Sequence, residues 1–301
     1  SGALTQNISG VGNTATGYSA LTANTGGSYN SATGYNALVS IGGSLNTADG
    51  ANALEGAGCG TCNAMYNTAT GYAALQNNDT GASDTADGIN ALILNTSGSS
   101  NTADGANALY NNKTGSYNAA SGYGALGGNN CHTCSGSNNT SGGYDSFYNI
   151  DTGSNDTAFG YEAGGTPNGS NATTSGSNDT FLGYLAGPST STQLTNATAI
   201  GANALVNESN ALVLGGTGGN AVNVGIGTQT PLSLLQVGVP ASNYSSPNYL
   251  QIPYIESAAT PPSGDCTLST LGRLVLRGTT QTNAKLYGCV YTGSAAVWRI
   301  V

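Results

Sequence analysis

Two four-residue motifs, Cys59-Gly60-Thr61-Cys62 and Cys131-His132-Thr133-Cys134, are the residues best suited by type and spacing to chemistry. Cys-x-x-Cys can hold zinc, run a dithiol–disulfide couple, anchor haem or close a loop. Zinc needs four ligands within about 2.3 Å of the metal, and sixty-nine residues separate Cys62 from Cys131. A redox couple needs a thioredoxin-like βαβ setting, of which there is no sign. Neither motif continues into the His of a haem site. The simplest reading is a surface loop pinched by its own disulfide, Cys59–Cys62 and Cys131–Cys134. Bridges between chains come second and a shared zinc third. His132 then reads as a loop residue, and no metal or cofactor is expected.

Acid–base and nucleophilic chemistry finds little to work with. The chain has one His, no HExxH, no G-x-S-x-G and no phosphate loop; the glycine run "GGTGG" at 215–219 lacks the Lys and helix it would need. Glu162, Glu208 and Asp145 are the candidates for glycan cleavage, but they show no recognisable partner spacing. The expectation is therefore a non-enzyme, with a glycan-cleaving spike as a weaker alternative. Tyr18, Tyr35, Tyr72, Tyr123, Tyr144, Tyr161 and Tyr184 recur at one position of a repeat. They read first as a packing ladder and second as a surface for stacking on sugars. Repeated Thr suggests an ice-binding face, but Asp49, Asp87 and Asp104 interrupt the array.

Composition narrows the partners. Of 301 residues only 6% are charged, and the formal net charge is −9. Phosphate binding needs clustered Lys and Arg, yet only Lys113 is basic before Arg273, so nucleic acid is excluded. No apolar run is long enough to span a bilayer. Six cysteines in a nearly Lys-free, Thr- and Asn-rich chain fit an oxidising, extracellular setting. The chain opens on Ser1 rather than Met, as removal of a leader or trimming would leave it. Sequons such as those at Asn7, Asn78 and Asn112 are numerous in a chain of this composition.

What must position these residues is a repeat. "NTATGYAAL" (67–75) recurs as "NTATGYSAL", "NSATGYNAL", "NTADGANAL" and "DTADGINAL". Its glycines, from Gly17 through Gly88 to Gly201, are mostly 17 residues apart, with 21 where the Cys-x-x-Cys motifs are inserted. A period this regular means stacked structural units. Seventeen residues are too few for a helical pair and enough for two short strands with turns. Gly or Asn breaks every few residues. The fold expected is all-β: a parallel β-solenoid, or β-roll, of 17-residue coils. Each coil offers its interior about one Leu and two Ala, such as Ala86, Ala91 and Leu92. That is thin against the entropy of ordering seventeen residues, so a homotrimer is expected.

The stretch "NATAIGANALVNESNALVLGGTGGNAVNVGIGTQTPLSLLQVG" (196–238) resembles the head repeats of trimeric autotransporter adhesins and the shafts of phage tail fibres. The resemblance implies three chains wound into one fibre and covers roughly residues 10–238. The column before the repeat glycine is polar early (Thr16, Asp49, Asp104) and apolar late (Phe159, Leu182, Ile200). Residues 1–12 are thus read as an N-terminal segment, 13–149 as polar solenoid repeats, and 150–238 as adhesin-like repeats and neck. Residues 239–301 leave the period and read as an antiparallel β module stapled by Cys266–Cys289. The function expected is a self-assembling fibre at a cell or virion surface, stacking head to tail. A tail-fibre or receptor-binding protein for surface glycans is the alternative.

Overall fold

The computed structural model describes residues 2–56, 62–128, 134–165 and 175–216, with shorter stretches beyond. It is all-β, with no α-helix among the described residues. Strands of two or three residues run through the chain as β1 (Thr14–Thr16), β2 (Ser31–Thr33), β3 (Thr47–Asp49), β4 (Thr68–Thr70), β5 (Thr85–Asp87) and β6 (Thr102–Asp104). They continue as β7 (Ala119–Ser121), β8 (Thr140–Gly142), β9 (Thr157–Phe159), β10 (Thr180–Leu182), β11 (Gly187–Pro188), β12 (Thr198–Ile200), β13 (Leu205–Val206) and β14 (Leu212–Leu214). Twelve of these form one parallel sheet in chain order, β11 and β13 pairing separately. The register is fixed by the repeat: Ala69 lies opposite Ala86, which lies opposite Ala103. This is the parallel solenoid that the period implied.

The coil is not built from two strands, as its length suggested. Most coils carry one strand, because the residues after it take a turn no strand allows. In the fifth coil Gly88, Asn90 and Leu92 have φ of 144°, 58° and 52°. Alternation of left- and right-handed residues curls the chain, and it directs Leu92 inward to full burial. Non-glycine residues enter this region at a cost of about 1–2 kcal/mol, repeated here for Leu21, Leu38, Leu54, Leu75 and Leu109. Gly88 has no such option. A Cβ there would lie 2.5 Å from the carbonyl oxygen of Gly105 in the next coil. Positive φ and this close approach together require the marker glycine.

The interior holds the expected Ala and Leu columns, buried except at the ends, where Ala15 is half-buried and Leu205 is exposed. It also holds polar ladders that the Ala–Leu columns did not announce. Asn30, Asn46, Asn67, Asn101, Asn118 and Asn139 are buried one above another. Each Oδ1 accepts the backbone N–H of its counterpart in the next coil, as Asn101 does from Asn118 at 3.0 Å. Each Nδ2 donates to a carbonyl in the turn of the next coil, as Asn101 does to Gly115 at 3.0 Å. A second ladder runs through Asn78, Asn95 and Asn112, whose amides donate to Gly81, Gly98 and Gly115, those of Asn95 and Asn112 also donating to the preceding Oδ1. A narrow core of alanines is thus held by side-chain amides that complete the hydrogen bonding of the turns.

These ladders decide two smaller matters. Asn78 and Asn112 are buried, so their sequons are inaccessible in the folded chain, whereas Asn7 is exposed. Residues 2–12 are also no separate segment. Leu4 takes the left-handed position of the leucine column, and its N–H donates to Ala20 at 3.1 Å. Asn7 accepts from Asn24 at 3.0 Å.

Contacts divide the chain into Ser1–Val222 and Asn223–Val301. In the second unit β15 (Val224–Ile226) pairs β16 (Leu235–Val237) in parallel. Beyond them β18 (Leu274–Gly278), β19 (Lys285–Tyr291) and β20 (Ala296–Ile300) are antiparallel neighbours. β17 (Tyr254–Glu256) joins β18 in parallel, which makes this sheet mixed rather than a pure meander.

Candidate functional site

The turn that follows each strand places the residue after the marker glycine on the outside, and there the tyrosines stack. Tyr123, Tyr144, Tyr161 and Tyr184 form a run of four with ring centroids 5.2, 5.2 and 5.4 Å apart. Tyr18 and Tyr35 form a separate pair at 5.5 Å. Tyr72 is exposed between Ala51 and Ile89 and extends neither group. One ladder in the sequence is therefore two stacks and a single ring, because non-aromatic residues occupy the column at 51, 89 and 106. All seven rings are exposed.

Beside the run of four lie acidic residues of the left-handed column. Asp145 and Glu162 occupy equivalent places in adjacent coils, their N–H groups donating to Tyr123 and Tyr144. Burial pushes the Asp145 carboxyl above its usual value, and the Glu162 charge adds to that. The Tyr161 hydroxyl facing Glu162 is pushed up to about 12, the hydrogen bond first and the negative charge second. Spacing along the chain did not reveal this pair; the coil does. The two stack in one column, whereas glycoside cleavage needs carboxyls on opposite sides of the scissile bond. Glu208 is exposed elsewhere, between β13 and β14.

A cleft of about 320 Å³ opens next to this column, lined by Asn107, Tyr110, Tyr123, Gly124, Gly127 and Tyr148. Only Tyr123 among these was a sequence candidate. The signal available was the loss of side chains at two positions of one coil, Gly124 and Gly127.

Of the two Cys-x-x-Cys motifs the described residues are Cys62 and Cys134, next to the second amide ladder. Cys62 and Cys134 stand one position past the Asn column, where other coils place Asp79, Thr96 and Lys113, and both are buried. The carbonyl of Cys62 accepts from Gly42 at 2.7 Å and that of Cys134 from Lys113 at 3.0 Å. Both are half-cystines; Cys59, Cys131 and His132, like Cys266, lie outside the described residues. Of Cys289 the backbone is described, opposite Trp298. Among the described residues no three His, Cys, Asp or Glu side chains converge as metal ligands, and no helix is long and apolar enough to cross a membrane.

The outward face of the sheet carries two columns. One runs through Thr47, Thr68, Thr85 and Thr102; the other changes from Asp49, Thr70, Asp87 and Asp104 to Phe159, Leu182, Ile200 and Leu214. Phe159 is 48% exposed, Ile200 38%, Leu214 41% and Leu212 beside it 61%.

No protein-family model matches the chain, and comparison with curated proteins and with solved structures finds no match. The fold and the surface are what a functional reading can rest on.

Proposed function

We propose that this chain is a non-enzymatic structural subunit of an extracellular fibre, at a cell or virion surface, assembled from copies of itself. The observation that carries the reading is the apolar column Phe159–Leu182–Ile200–Leu214, aligned in register and facing outward on a sheet whose earlier strands present mainly Thr and Asp. A contiguous apolar strip rimmed by polar residues marks an association surface. Three copies meeting along their strips would bury it symmetrically. The amide ladders complete the interior of a single chain, so the reason for assembly lies in this external strip rather than in a weak core. Head-to-tail stacking, with the C-terminal β module of one copy on the first coil of the next, would extend the trimer into a filament. In that setting the loop disulfides Cys59–Cys62 and Cys131–Cys134 and the staple Cys266–Cys289 form without a reducing cytosol.

Sedimentation tests the core of this. The chain should run as a trimer at micromolar concentration, and Leu182→Ser with Ile200→Ser should yield a monomer with an unchanged circular dichroism spectrum. A wild-type chain that stays monomeric and folded would overturn the reading.

A further inference from the structure

In the outer turn of the solenoid one column loses its side chain between two tyrosines. Immediately after the left-handed leucine column comes a position occupied by Gln76, Ile93, Tyr110, Gly127 and Tyr148 in successive coils. The register is set by backbone bonds: the N–H of Leu94 donates to Tyr110, and that of Asn111 to Gly127, both at 3.2 Å. Gly127 therefore lies one coil from Tyr110 and one coil from Tyr148. Coils repeat at about 4.8 Å, so Tyr110 and Tyr148 stand roughly two repeats apart in this column, with no side chain on Gly127 between them. The adjacent tyrosine stack shows what the fold gives to filled positions, with rings 5.2 Å apart. A single ring would complete the same spacing between Tyr110 and Tyr148.

The same coil also lacks a side chain in the neighbouring column, where Gly124 stands between Asn107 and Asp145. The Asp145 carboxylate occupies the space a Cβ on Gly124 would take. Tyr123, the end ring of the stack of four, closes one side. The slot thus has two aromatic walls, an amide at its edge and negative charge behind it. At about 320 Å³ it is at the small end of ligand sites.

We propose that this slot binds one neutral pyranose ring, its C–H faces against Tyr110 and Tyr148 and its hydroxyls toward Asn107 and the tyrosine hydroxyls. The Asn107 Oδ1 already accepts from Asn90 at 3.3 Å, and a purely apolar aromatic ligand would cover its Nδ2 without offering an acceptor. An anionic sugar would meet the Asp145 carboxylate behind Gly124. The proposal does not depend on self-assembly, since none of its residues lies on the apolar strip.

Saturation-transfer NMR on the full chain tests it, with methyl β-glucopyranoside and methyl β-galactopyranoside as probes. Millimolar binding is expected, with the strongest transfer to axial ring protons of at least one probe. Tyr110→Ala and Tyr148→Ala should each weaken it about tenfold or more. Tyr148→Phe should retain most of it, which separates loss of a ring from loss of fold. Tyr35→Ala, in the distant stacked pair, should leave it unchanged. Absence of transfer to both glycosides, an equal loss in Tyr35→Ala, or preferential binding of 4-methylphenol at the slot would each overturn the proposal.

Discussion

Replacing Asp84, Asp156 and Asp179 together by Asn is expected to stabilise the solenoid at pH 8 and to abolish most of its pH dependence. These three carboxylates occupy positions of the first amide ladder and are fully buried. Their Oδ1 atoms do what an amide oxygen does, accepting the N–H of Asn101, Asp179 and Ala197 at 2.8 Å. Their Oδ2 atoms stand where Asn would present a donor. That of Asp84 accepts from Asn95 at 3.1 Å, and those of Asp156 and Asp179 have no partner. Burial pushes the pKa of Asp84 and of Asp156 up to about 7, and that of Asp179 upward too. For Asp156 the charge of Asp179 in the adjacent coil adds to the rise.

The sign follows from where the proton is held. A carboxyl whose folded pKa exceeds its unfolded value favours the fold fully below pH 3.8, and that advantage is lost as pH rises to about 7. For Asp84 this amounts to roughly 4 kcal/mol between the two limits. An Asn at 84 would share the Gly98 carbonyl with Asn95, as Asn67 and Asn78 share that of Gly81. Thermal unfolding between pH 4 and pH 8.5 is the measurement. The wild type should lose about 10 °C or more over this range and the triple variant much less. A wild-type midpoint independent of pH, or a triple variant less stable at pH 8.5, would contradict the assignment.

The second large effect is expected at Asn101. Its side chain makes bonds in both directions, to Asp84 below and to Gly115 and the N–H of Asn118 above. Leu has similar volume but no polar atoms. Asn101→Leu leaves the Asn118 N–H without its acceptor at a site closed to water, and the Gly115 carbonyl keeps only the Asn112 amide. A buried group left unsatisfied costs about 1–3 kcal/mol, and the branched chain must fit a column built for a planar amide. A loss of about 3–5 kcal/mol is expected in denaturant unfolding. Thr102→Ala, outward-facing in the next position, should change stability by less than about 0.5 kcal/mol. Equal effects at the two positions would show that the ladder contributes nothing beyond packing.

Much of this molecule was legible from spacing. The 17-residue period established the parallel stack, and the Ala and Leu columns named the apolar core, because side chains in the same place of each coil meet across one hydrogen-bonded layer. The change from Asp104 to Phe159 and Leu182 marked where the outer face becomes apolar, since every residue of that column faces the same way. The marker glycine carried its own signal, though its reason, a backbone carbonyl one coil away, needs coordinates.

What the tertiary structure decided concerns groups that are polar by type and buried by position. Asn101 and Asp84 look like turn residues in a chain full of Asn; only the closing of the coil turns their side chains inward. The single strand per coil could not be read, because Leu92 in the left-handed region violates its own propensity and is held there by burial. Tyr110 and Tyr148 are thirty-eight residues apart in the chain. One regular coil and one lengthened by the Cys131–Cys134 insertion bring them to either side of Gly127, and a missing side chain becomes a site only when its neighbours along the stack are known.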